Sequence, residues 1–157
     1  MSMRILVFVP LLLAACATEN PASGDTPLQS SAAERTSDPT EIVDKTWYWV
    51  STVTPVERIE VNDPGRYTLL LHTDGEVELQ VDCNRGRGTY KLGEGTLAMG
   101  PLISTRMACP EDTMDHLFLR QLENAAGFFV EGGYLFVDQK MDSGTMRFSA
   151  SPEAARP

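Results

Sequence analysis

The residues best suited to chemistry lie in two short segments, "VDCNRGRGTY" (Val81 to Tyr90) and "STRMACPED" (Ser104 to Asp112). Each sets one cysteine beside arginine: Cys83 precedes Arg85 and Arg87, and Arg106 precedes Cys109. Such residue types suit a metal centre, a thiolate nucleophile or a disulfide. Zinc takes four N or S donors at short spacings, and two cysteines with only His72 and His116 supply neither a CxxC nor an HxxxH pair, so no metal site is expected. A thiolate nucleophile needs a base, and His116 would have to approach Cys109 across the start of a helix. No GxSxG segment occurs and the acids are scattered, so no catalytic residues and no cofactor are assigned. A Cys83–Cys109 disulfide needs only an oxidising compartment. It would close a loop of about 27 residues, worth roughly 3.5 kcal/mol of denatured-state entropy. It would also draw Arg85, Arg87 and Arg106 together as a candidate anion or partner site. The simpler alternative is that these arginines balance acids such as Asp82 and Glu111.

The compartment is indicated by the beginning of the sequence. Arg4, the apolar stretch Ile5 to Leu13, and Leu13-Ala14-Ala15 ending at Cys16 read as a secretory signal, too short to span a membrane. A cysteine directly after Leu-Ala-Ala resembles the lipobox of bacterial lipoproteins, in which the cysteine is acylated and becomes the first mature residue. On that reading residues 1–15 are a signal peptide and Cys16 carries acyl chains, which at roughly 0.8 kcal/mol per buried methylene hold the chain on a membrane. An ordinary secreted protein with an incidental cysteine is the alternative. Ala17, where Asp would favour retention, implies the outer membrane with the domain facing the periplasm. Lipidation also turns three cysteines into one acylated residue and an even pair, in a compartment that favours disulfides.

Residues 16–40 are rich in Ser, Thr, Pro, Ala and Gly, bury little apolar surface, and read as a flexible tether. Residues 41–149 have the length of one small domain, and 150–157 read as a disordered tail. The chain carries a formal charge of -9, which becomes -10 once Arg4 leaves with the signal, so nucleic acid is not an expected partner.

The elements that must position the two cysteine segments show mostly a period of two. "KTWYWVSTV" places Trp47, Trp49 and Ser51 on one face, and "EVELQVD" places Val77, Leu79 and Val81 opposite Glu76, Glu78 and Gln80. "RYTLLLH" is a strand joined to the next at Asp74-Gly75. Short strands follow at "GTYKL", "TLAM" and "LIST", and "FFVEGGYLFVDQKMDSGTMRFS" reads as three strands joined at Gly132-Gly133 and Asp142-Ser143-Gly144. One segment has helical spacing: from Pro110, Met114, Leu117, Phe118, Leu122 and Ala125 predict a helix that stops at Gly127. The expectation is α+β, an antiparallel curved sheet with one helix packed on it.

These segments carry a resemblance. "DCNRGRGTYKL", "TRMAC" and the helix ending "FLRQL" are similar to the META domain, the family of the HslJ-like heat-shock proteins. The matches are Cys83, Asn84, Gly88 and Tyr90, then Thr105 to Cys109, then Phe118, Leu119 and Leu122, with Trp47 as the early tryptophan. Asp82 stands where the family usually has glycine. The resemblance implies a partly barrel-like sheet and a small envelope protein, often a lipoprotein, linked to stress tolerance and outer-membrane integrity, with no enzymatic activity. The expected partners are therefore the membrane, through Cys16, and an unidentified envelope protein, lipid or peptide. The other reading is a periplasmic inhibitor of a basic enzyme such as lysozyme, met by the acidic surface.

Overall fold

The computed structural model describes residues 34–153. The signal peptide, Cys16, most of the expected tether and the end of the tail lie outside the described residues. Nine strands among the described residues form one antiparallel sheet: β1 (Thr46–Val53), β2 (Arg58–Glu60), β3 (Tyr67–Leu71), β4 (Glu76–Val81), β5 (Asn84–Gly93), β6 (Thr96–Ser104), β7 (Ala125–Glu131), β8 (Tyr134–Gln139) and β9 (Thr145–Ser149). One α-helix, α1 (Asp115–Glu123), lies between β6 and β7. From β3 to β9 each strand pairs with its successor. β1 pairs with β3 on one side and β9 on the other, so eight strands close into a barrel and β2 continues the β3 edge of β1. The β1–β9 pairing covers the two edges that an open sheet would expose at its ends.

The alternation read from the sequence points inward as expected. Trp47, Trp49 and Ser51 of β1 are buried, as are Val77, Leu79 and Val81 of β4, while Glu76 and Glu78 face solvent. Whether the sheet would close around a space could not be read from the strands alone, and here α1 decides it. Phe118 lies 5.3 Å from the Trp49 ring, 5.6 Å from Tyr67 and 6.4 Å from Phe148, so the helix plugs the barrel with an aromatic cluster. A buried polar chain fixes its depth: Trp49 Nε1 donates to Thr52 Oγ1 at 3.0 Å, and that hydroxyl donates to Gln121 Oε1 at 2.8 Å. Buried polar groups satisfied in this way specify one docking geometry, since any slip would leave a donor unpaired.

Three local expectations are corrected. "TLAM" and "LIST" are one strand, β6, because a bulge hides the alternation: Gly100 and Pro101 together oppose Thr89 of β5. A Cβ on Gly100 would come within 2.4 Å of Thr89 Oγ1, which accounts for glycine there. The helix starts at Asp115, not Pro110, and ends before Ala125. Pro110 to Thr113 forms a turn closed by the Thr113 N–H on Pro110 O at 3.1 Å, and Gly127 is a residue of β7 at a register shift, not a helix stop. Finally, residues 36–40 belong to the domain, not to a loose tether. Thr36 exchanges two backbone hydrogen bonds with Val130, at 2.9 and 2.8 Å, and Asp38 caps a turn at Pro39–Glu41. Ile42, which follows that turn, is fully buried.

Candidate functional site

β4 ends at Val81, and a two-residue turn, Asp82-Cys83, sends the chain back along β5. Such a turn needs a positive φ, and Asp82 adopts +58°, a region that Asp tolerates better than most residues with a side chain. The turn is therefore kept despite the absence of glycine. Cys83 is bonded to Cys109, with Cα atoms 5.6 Å apart, which fastens the loop after β6 over the β4–β5 turn.

Asn84 holds the same loop by hydrogen bonds. Its Oδ1 accepts from the Met107 N–H and from Thr105 Oγ1, both at 2.8 Å, and its Nδ2 donates to Met107 O at 3.2 Å. The Arg85 N–H donates in turn to Thr105 Oγ1 at 3.1 Å. The side chain of one buried asparagine thus stands in for a strand's backbone, and the Thr105 to Cys109 segment docks on it. Asn84→Ala strips partners from Met107 and Thr105 together and is expected to cost about 1–3 kcal/mol. Urea denaturation of the purified variant measures it.

The third fastening escaped the sequence reading. Arg66, which follows a short turn at Pro64, donates to both oxygens of Asp82 (2.6 and 2.7 Å) and to both oxygens of Asp112 (3.0 and 3.3 Å). Its hydrogen bonds hold the Asp82 and Asp112 carboxyls below the usual carboxylate range, with burial of Asp82 opposing. The same bonds, to Asp82 first, push the guanidinium up. Asp82, the acid expected to balance Arg85, Arg87 or Arg106, is instead partnered by Arg66.

Of those three arginines, the structure brings only two together. Arg85 and Arg87 project from the outer face of β5 into a cleft of about 500 Å³ that also contacts Glu78 and Ile103. Arg106 lines a second cleft, between β6 and α1, and Ile103 to Thr105 form the wall between the two. Among the described residues none of the three makes an ion pair. The His116 side chain is 99% exposed, and the Cys109 sulfur is engaged in the disulfide, so the pair is not arranged as base and thiolate. No group of three or more candidate metal ligands occurs among the described residues, and none of their helices is long and apolar enough to cross a membrane.

These fastenings follow one another in the chain as a Cys-Asn turn, a Thr-Arg-Met-Ala-Cys loop and a plugging helix, all inside the span that a family model matches. The META domain model matches residues 40–153. The chain belongs to the META domain family. Solved structures share the barrel. An NMR structure of a protein from Burkholderia xenovorans superposes with a TM-score of 0.60 at 22% identity, covering 78% of this chain and 94% of that one. A crystal structure of a duf4847 family protein from Bacteroides vulgatus gives a TM-score of 0.51 at 13% identity, covering 71% and 95%. At those identities the likeness is one of fold. No curated protein sequence matches the chain. Within this META domain the signature residues act as fasteners: Cys83 and Cys109 by a covalent bond, Asn84 and Thr105 by hydrogen bonds, and Phe118 by filling the barrel.

Proposed function

We propose that the protein is a bacterial cell-envelope lipoprotein whose META domain is a non-enzymatic binding or structural module, held at the outer membrane by acyl chains on Cys16 and facing the periplasm. The observation that carries this reading is the use of the cysteines. Cys83 and Cys109 are joined to each other, as suits an oxidising compartment, and the third cysteine directly follows Leu13-Ala14-Ala15. The packed barrel supports a role exercised at the surface: Trp49, Tyr67, Phe118 and Phe148 occupy the space that an interior ligand would need. A module of this kind serves outer-membrane integrity or stress tolerance by engaging another envelope component.

Growth of a producing bacterium with labelled palmitate tests the anchor. The wild-type chain is expected to take up label, and Cys16→Ser is expected to take up none and to leave the membrane fraction. An unlabelled wild type, or equal labelling of the variant, would sink the lipoprotein reading.

A further inference from the structure

The barrel has one thin seam. Among the described residues β6 meets β7 at a single pair, Thr96 with Gly127, because the chain between them departs into the loop at Arg106 and then into α1. From there to its end β6 has a strand partner on the β5 side only. Backbone groups of a strand alternate between its two edges. The Thr105 N–H donates to Arg85 O at 3.0 Å and the Met107 N–H to Asn84 Oδ1 at 2.8 Å, so these residues face β5. By that alternation Leu102, Ser104 and Arg106 direct their N–H and C=O groups to the opposite edge. All three line the second cleft, about 710 Å³ in volume, whose far wall is the first half of α1.

The side chains of the cleft are as suggestive as its edge. Ile103 is 58% exposed and Met107 60% exposed, two of the large apolar residues that the domain leaves in solvent. Arg106 carries a guanidinium with no ion pair among the described residues. On the opposite wall the Asp115 carboxylate is already engaged by the His116 N–H at 2.6 Å. A lipid tail would use the apolar residues but leave the row of backbone groups unsatisfied. An extended peptide uses both, because its own N–H and C=O groups repeat at the spacing of the edge and its side chains alternate between faces.

We propose that the open edge of β6, in the cleft against α1, takes an extended acidic peptide segment as an added strand, with a peptide carboxylate on Arg106 and apolar side chains on Ile103 and Met107. The proposal rests on the binding-module reading and names its class of partner, but it does not depend on the anchor. Palmitate labelling at Cys16 and peptide binding can therefore fail separately.

The test uses the full-length protein, isotope-labelled, titrated with an acetylated and amidated hexapeptide of alternating valine and glutamate while amide shifts and hydrogen exchange are followed. The expected result is saturable binding that protects the Leu102, Ser104 and Arg106 amides. Arg106→Ala should weaken binding roughly tenfold, the size of one charge-assisted hydrogen bond, and lysine in place of glutamate in the peptide should abolish it. N-methylation at alternate peptide residues should abolish binding in one phase and spare it in the other, a readout that needs no protein variant. Equal binding by both methylated peptides, protection confined to other strands, or no saturation up to about 1 mM, the weak end of the affinity scale, would overturn the proposal. So would concentration-dependent protection of the same amides without peptide, which would assign the edge to a second copy of the chain.

Discussion

Replacing Cys83 and Cys109 together by alanine is expected to lower the stability of the domain by about 3.5 kcal/mol, the entropy regained by releasing a loop of roughly 27 residues in the denatured chain. Small domains have about 5–15 kcal/mol in total, so the loss is a large share of what holds this one folded. The bridge joins the β4–β5 turn to the loop that leads into α1. Without it, the plug of Phe118 must find the barrel from a longer free segment. The effect should come mostly through the denatured state, because Asn84 still docks Met107 and Thr105 when the sulfurs are gone. Urea denaturation should therefore show a lower midpoint with a steeper slope, since the uncrosslinked denatured chain exposes more surface. A variant within about 1 kcal/mol of wild type would mean that the denatured chain is constrained by something other than the bridge.

Arg66→Ala is the second large effect, about 3 kcal/mol. It strands the carboxylate of Asp82, whose side chain is only 4% exposed, and breaking a buried pair from one side leaves an uncompensated charge. The loss falls at the low end for a buried pair because Arg66 itself keeps about a quarter of its side chain in solvent. Acid sharpens the test. Arg66 holds the Asp82 carboxyl below its ordinary value of 3.8, so the stability this group contributes is complete above that value and is lost as pH falls through the depressed folded value. In Arg66→Ala the same carboxyl is buried without a partner and favours its protonated form. Stability curves of wild type and variant should thus converge as the pH drops below about 4. Asp82→Asn added to Arg66→Ala removes the stranded charge while keeping a residue that accepts positive φ, and should restore part of the loss.

How much of this was legible in the sequence depended on distance along the chain. Trp47, Trp49, Val77 and Leu79 declared their inward faces because a strand's period of two survives in any short window. The cysteine pair was legible by counting, and the two segments around it by their resemblance to META domains. Arg66 was silent because its partners lie 16 and 46 residues away, and no local pattern links them. Pro110 to Asp112 has the composition of a helix start, but Cys109 is bonded to Cys83 and Asp112 is held by Arg66, so the chain turns there and α1 begins later. The gathering of Arg85, Arg87 and Arg106 failed in part for a related reason. The disulfide does bring their segments together, but side chains alternate across a strand pair and Ile103 to Thr105 stand between them. The open edge of β6 was hidden twice, by the bulge at Gly100-Pro101 and by the need to know that β7 meets it at one pair only.

The central claim is that the signature cysteines fasten the META domain and are not a reactive pair. Thiol titration of Cys16→Ser protein, recovered from an oxidising compartment and denatured without reductant, tests it most directly. The account predicts no titratable thiol before reduction and two after it; two thiols per chain before reduction would contradict it.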